Sequence, residues 1–215
     1  MLTLAIDCAM RWINLGLSDE AGPRGELSLR SGARQSETLP LLVETFLKLH
    51  GAALADIERV AVTNGPGYYT GIRVGLSYAT SLAAGLGIGV VPVGTLSALA
   101  VDFLATGMTL VPMLRAGKKG VFCAVYEGGA AGCPETVPPS FLPPEAFFAL
   151  LRECGERGVT LALGPDVGDF PAIAEAGVRI LSRSPAIGLA LACAARALEP
   201  VDPAAVRAVY LRDPD

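Results

Sequence analysis

The chain has 215 residues, 52% of them hydrophobic, and a formal net charge of −4 from 17 Lys and Arg against 21 Asp and Glu. That suffices for one large or two small packed domains, while no apolar run reaches the roughly 18 residues a membrane span needs, and Asp7 and Arg11 fall too early for a secretory leader. An acidic chain whose densest basic cluster is Arg115 to Lys119 does not grip nucleic acid by itself, because phosphate binding draws on clustered Lys and Arg.

The expected compartment is the cytoplasm. Cys8, Cys123, Cys133, Cys154 and Cys193 are odd in number, widely spaced and without a CxxC pair, so they read as reduced, mostly buried thiols.

Leu2–Asp7 is apolar on both faces and reads as a central strand. Ile13, Leu15 and Leu17 alternate with polar or small residues, as do Leu27 and Leu29, giving two half-buried strands around the Ala21-Gly22-Pro23 turn. Glu37–His50 is a helix with Ser36 as N-cap, Pro40 near its start and Gly51 as its stop. Val60–Thr63 is a fourth strand, Gly71–Gly85 a second helix capped by Thr70, and Gly89–Val93 a fifth strand.

This β-β-β-α-β-α-β order is the half-unit of the actin, hexokinase and Hsp70-type ATPase fold, an α/β architecture related to ribonuclease H. The rest reads as a degenerate second half. Leu110–Leu114 and Val121–Tyr126 form a hairpin, Glu145–Cys154 a helix, Thr160–Leu163 a strand, Ile173–Ala176 a short helical piece and Val178–Leu181 a strand, with Gly128 to Pro144 an irregular edge. A last helix from Pro185 to Leu198, with Ser184 as N-cap, is expected to fold back on the first half. The expected domains are 1–100 and 101–215, with helix 185–198 returning to the first.

On a helical wheel Leu39, Leu42, Val43, Phe46, Leu47 and Leu49 fill an arc of about 160°, wider than the ~100° stripe one sheet face requires. In the second helix Arg73 is the only charge. Gly71, Gly75, Ala79 and Ala83 form a column of small residues, and Ile72, Val74, Leu76, Tyr78 and Leu82 make most of the remaining circumference apolar. One side of such a helix lies on its own sheet. The other is covered either by the C-terminal helix of the same chain or by a partner protein, the small column then permitting close approach.

Val60–Arg73, VAVTNGPGYYTGIR, is a strand, a glycine loop and a helix start. Such a loop is an anion site in principle, with helix N–H groups pointing at it and Gly65 and Gly67 permitting close approach, or simply a tight connector. Gly65-Pro66-Gly67-Tyr68-Tyr69-Thr70-Gly71-Ile72-Arg73 resembles the GPGSFTGxR signature of the TsaB (YeaZ) family. The similarity continues in Val91-Pro92-Val93-Gly94-Thr95-Leu96 and in Tyr210-Leu211-Arg212.

The resemblance implies a non-catalytic relative of TsaD that supports TsaD in tRNA N6-threonylcarbamoyladenosine modification, next to the anticodon. It implies a heterodimer with a TsaD-like catalytic subunit through the two helices of the first half, a TsaE-like ATPase as third component, a possible homodimer, tRNA contact only indirectly, and no cofactor or metal. The partner-facing residues it points to are Leu42, Phe46, Tyr69, Arg73, Ser77 and Tyr78.

Asp7 stands where kinases of this fold hold metal and phosphate, but Cys8, Ala9 and Met10 follow it in place of Gly, Ser or Thr. Asp7, Gly65 and Gly67 are therefore candidates for a vestigial nucleotide site or for turn structure. Thr95 and Leu99 fall at the positions of the histidine pair that holds the metal in TsaD, and His50 is the only histidine in the chain. An ATP-dependent kinase or acyltransferase of the same fold is the alternative, and a metallopeptidase lacks its ligands. Arg73 either snorkels, or bonds the carbonyls of Asn64–Gly67, or anchors a partner.

Overall fold

The computed structural model describes residues 1–30, 34–118, 120–129, 135–182 and 186–212. The elements begin β1 (Thr3–Asp7), β2 (Trp12–Asp19), β3 (Gly22–Arg30), α1 (Gln35–Leu49), β4 (Arg59–Thr63), α2 (Tyr69–Leu86), β5 (Val90–Val93) and α3 (Thr95–Ala100). They continue β6 (Thr109–Ala116), β7 (Gly120–Glu127), β8 (Glu135–Leu142), α4 (Pro144–Arg157), β9 (Thr160–Gly164), β10 (Arg179–Ser182) and α5 (Gly188–Ala195). Two compact units result: Met1–Ala98 with Pro185–Tyr210, and Leu99–Ser184 with Leu211–Asp215.

The first unit is a five-stranded sheet of order β3-β2-β1-β4-β5. Strands β1, β2 and β3 are antiparallel neighbours, and β4 and β5 run parallel to β1, as crossover connections through helices require. Because side chains alternate along a strand, β1 splits cleanly between two faces. Leu4 and Ile6, with Ile13, Leu15, Leu17, Val60 and Val62, pack against α1 and α2 in one apolar core. Thr3, Ala5 and Asp7 point the other way, opposite Ser18, Gly16 and Asn14 in the register.

That second face is small and polar, and α5 fits it. A Cβ on Gly16 would fall inside the Gly188 carbonyl, so the helix lies in direct backbone contact with the strand. Both ends of α5 are tied to the sheet. Glu26 accepts from Leu189 N–H at 3.0 Å, and Arg59 donates to the carbonyls of Ala195, Arg196 and Leu198 at 2.7, 3.2 and 3.0 Å. A carboxylate at the N-terminus and a guanidinium at the C-terminus also complement the helix dipole.

Several expectations change. Strand β2 is buried along its whole middle rather than half-buried, because helices cover both faces of the sheet. Helix α2 begins at Tyr69 behind Tyr68, so Thr70 is inside the helix and no side chain caps it; α1 begins at Gln35 behind Arg34, and Ser36 is likewise internal. Ser184 and Pro185 lie outside the described residues; the last helix starts at Gly188.

The second unit repeats the strand order and directions of the first, as β8-β7-β6-β9-β10. Its α4 buries Phe147, Leu151 and Cys154 against Val111, Met113, Val121, Cys123 and Val125. Between β9 and β10, where the first unit has α2, there are only 3-10 turns at Val167–Asp169 and Pro171–Ala176. The segment expected as an irregular edge holds the edge strand β8, despite Pro138 and Pro139, which an edge position tolerates.

Candidate functional site

Asp7 ends β1 with no exposed surface, and its carboxylate is fully engaged inside the fold. Oδ1 accepts from Ala9 N–H at 3.0 Å and from the Thr63 hydroxyl at 2.6 Å, and Oδ2 from Asn14 Nδ2 at 2.7 Å. Asn14 in turn accepts from the Ser28 hydroxyl at 2.7 Å. Burial raises the Asp7 pKa above the ordinary carboxylate value, against the three hydrogen bonds, which pull it down.

The turn after Asp7 lies directly on the glycine loop. Tyr68 N–H donates to the Ala9 carbonyl at 2.6 Å, and a Cβ on Gly67 would run into the same oxygen. Gly65, after β4, has φ of +110° and faces the Val209 carbonyl, so only glycine fits there. Gly71 and Gly75 meet Cys8, whose thiol burial pushes well above its usual range. The small column of α2 thus serves close packing inside its own unit, with Gly71 and Gly75 on the turn that follows β1, not on a partner.

The outer surface of α1 and α2 presents a different face. Leu41 and Leu49 are 66% and 73% exposed, Leu42 and Tyr78 are half-buried, and Arg73 and Ser77 are exposed. Helix α5 does not cover this face, since it lies across the sheet. Phe46, expected here, is 1% exposed and belongs to the core beside Leu4 and Val43, so it is unavailable to a partner.

Arg73 does not bond the loop carbonyls. Its Cζ stacks 4.0 Å from the centre of the Tyr69 ring, and its Nε donates to the Tyr210 hydroxyl at 3.2 Å. Tyr210 is the residue to which the sequence assigned no role; its motif was visible, but its partner lies 137 positions away.

No group of three or more His, Cys, Asp or Glu among the described residues could hold a metal. Thr95 and Leu99 are both buried, and the Thr95 hydroxyl has no hydrogen-bond partner among the described residues. A hydroxyl and an isobutyl group do not replace two imidazoles, so these two positions do not supply a metal-holding histidine pair. Cys123, pushed up to about 12 by burial, is an inert core thiol, and Cys133 lies outside the described residues.

The two-sheet architecture, with five strands in the same order in each unit, defines an actin-like ATPase fold. The family model for TsaD, the tRNA N6-adenosine threonylcarbamoyltransferase, matches residues 31–163. The chain belongs to that family.

Among its relatives is the Escherichia coli (strain K12) tRNA threonylcarbamoyladenosine biosynthesis protein TsaB, 29% identical over 177 residues that cover 78% of this chain and 75% of the relative. The Paracoccus denitrificans tRNA N6-adenosine threonylcarbamoyltransferase is 36% identical over 106 residues, 49% of this chain but only 29% of that enzyme. In structure, a Pseudomonas aeruginosa protein described as similar to the peptidase YeaZ matches with a TM-score of 0.81 at 21% identity, over 98% of this chain and 99% of its own. The likenesses to TsaB and YeaZ cover most of the chain, and together with the family model they support a role in tRNA threonylcarbamoyladenosine biosynthesis.

Proposed function

We propose that this chain is a non-catalytic subunit that supports a TsaD-type catalytic subunit in forming N6-threonylcarbamoyladenosine next to the anticodon of tRNA. The observation that carries this reading is the Asp7 carboxylate, which accepts three internal hydrogen bonds and faces a turn of Cys8, Ala9 and Met10 packed on the glycine loop. A nucleotide-using relative needs that carboxylate and the adjoining hydroxyls or amides free for metal and phosphate. Here they are committed to the fold, so Asp7, Gly65 and Gly67 serve structure.

The catalytic subunit docks on the exposed face of α1 and α2, with Leu42, Tyr69, Arg73, Ser77 and Tyr78 in the contact and Leu41 and Leu49 at its margin. The exposed leucines of α1 and the half-buried apolar side chains of α2 beside them are what such an interface buries. A TsaE-like ATPase completes the assembly in the cytoplasm, a homodimer can use the same face when the catalytic subunit is absent, and tRNA is met through the partner, a reading the net charge of −4 supports.

The test is co-expression with a TsaD-type subunit followed by size-exclusion chromatography, alongside calorimetric titration of the isolated chain with Mg-ATP. The expected result is a stoichiometric complex and no nucleotide binding by the chain alone. Tight Mg-ATP binding that depends on Asp7 would instead support the kinase or acyltransferase alternative.

A further inference from the structure

The segment ending in Tyr210 is fastened at several points. Val201 and Val90 exchange backbone hydrogen bonds of 2.8 and 3.0 Å at the edge of β5. Further on, Val209 N–H donates to the Asn64 carbonyl at 2.7 Å, and Asn64 Nδ2 donates to the Arg207 carbonyl at 3.3 Å. These anchors deliver the Tyr210 ring to within 4.9 Å of the Tyr69 ring, tilted by 37°.

Arg73 touches both tyrosines, with its guanidinium over one face of the Tyr69 ring and its Nε donating to the Tyr210 hydroxyl. Holding a long exposed side chain in one geometry before binding removes an entropy cost that binding would otherwise incur. Neither terminal nitrogen of Arg73 has a hydrogen-bond or ion-pair partner among the described residues. The rest of the exposed column on α2 is uncharged, with Thr70, Ser77 and Ser81, so α2 itself supplies no counter-charge.

Resting on the reading of α1 and α2 as the docking face, we propose that Tyr210 is a positioning residue that presents the two Nη groups of Arg73 to a carboxylate side chain of the TsaD-type catalytic subunit. Two parallel N–H donors in one plane match the two oxygens of a carboxylate, and a stacked guanidinium keeps that plane fixed. The charge complement comes from across the interface because the helix around Arg73 offers none.

Calorimetric titration of the full chain with a TsaD-type subunit tests this. Arg73→Ala and Tyr210→Ala are expected to weaken binding roughly tenfold or more, as for a central arginine anchor. Tyr210→Phe, which keeps the ring and loses the hydroxyl, weakens it about threefold, and Arg73→Lys does not restore affinity because an ammonium lacks the fork. Melting temperatures stay at the wild-type value, and in the free chain the Arg73 Nε–H exchanges more slowly with water in the wild type than in Tyr210→Phe.

Wild-type binding with unchanged affinity in Arg73→Ala and Tyr210→Phe overturns the positioning role while leaving the docking face intact. No wild-type binding at all overturns the docking face and, with it, the carboxylate contact. Unchanged subunit affinity with loss of tRNA from the assembled complex shows that Arg73 meets an RNA phosphate, and that also overturns the proposal.

Discussion

Replacing Asp7 with Ala separates a structural carboxylate from a ligand-binding one. The substitution leaves Ala9 N–H, the Thr63 hydroxyl and Asn14 Nδ2 without their acceptor in a site closed to water. Each orphaned buried donor costs about 1 to 3 kcal/mol. Against this stands the relief of no longer burying a carboxylate, which works in the opposite direction, as the raised Asp7 pKa shows. The net loss of stability is therefore smaller than three orphaned donors alone would give and is expected at about 2 to 4 kcal/mol.

Asp7→Asn behaves differently. If the Asn14 amide turns over, its oxygen accepts from the new amide and its nitrogen donates to the Ser28 hydroxyl, so the chain of hydrogen bonds closes again; this substitution is expected to stay within about 1 kcal/mol of wild type at neutral pH. Trp12, the single tryptophan, opens β2 in the same unit, so its fluorescence during urea unfolding reads the relevant transition. A stability change in Asp7→Ala below about 0.5 kcal/mol, accompanied by loss of nucleotide binding or of tRNA modification, would refute the structural assignment.

Three further outcomes follow from the same geometry. Gly16→Ala forces a methyl into the Gly188 carbonyl and is expected to cost about 1 to 3 kcal/mol, with α5 amides losing protection first in hydrogen exchange. Arg59→Ala frees the carbonyls of Ala195, Arg196 and Leu198 and is expected to cost about 1 to 2 kcal/mol, again seen as fraying of α5. Because burial raises the Asp7 pKa, the unfolded chain releases this proton first as pH increases. The wild type therefore loses stability relative to Asp7→Asn from the ordinary value of 3.8 up through the higher folded value, and paired denaturation curves between pH 4 and 7 should show that gap changing rather than constant.

Much of the first unit was legible because its strands are short runs of Val, Ile and Leu bounded by turn residues, and strand periodicity needs only local information. What escaped were features fixed by distant partners. Thr70 reads as a cap, yet the chain enters α2 one turn-residue earlier because Tyr68 N–H is held by the Ala9 carbonyl. Phe46 sits on the same apolar arc as Leu42, and only the position of the sheet decides that one is core and the other half-buried.

Gly71, Gly75, Ala79 and Ala83 look alike from either side of a helix; Cys8, just after β1, determines which side they serve. Strand β8 was hidden by prolines that an edge accommodates. Arg73 was recognisable as an isolated charge, but its clamp by Tyr210 depends on a segment near the other end of the chain.

The central claim is that this chain contributes to tRNA modification without performing it. Its most direct test is N6-threonylcarbamoyladenosine, quantified by mass spectrometry of digested tRNA after reconstitution with a TsaD-type catalytic subunit, a TsaE-like ATPase and threonylcarbamoyl adenylate, with this chain included or omitted. The expected result is modification that falls at least tenfold when the chain is omitted, returns in full with wild type, and is absent when the chain is the only protein present. Modification by the chain alone, or an undiminished yield without it, would contradict the account.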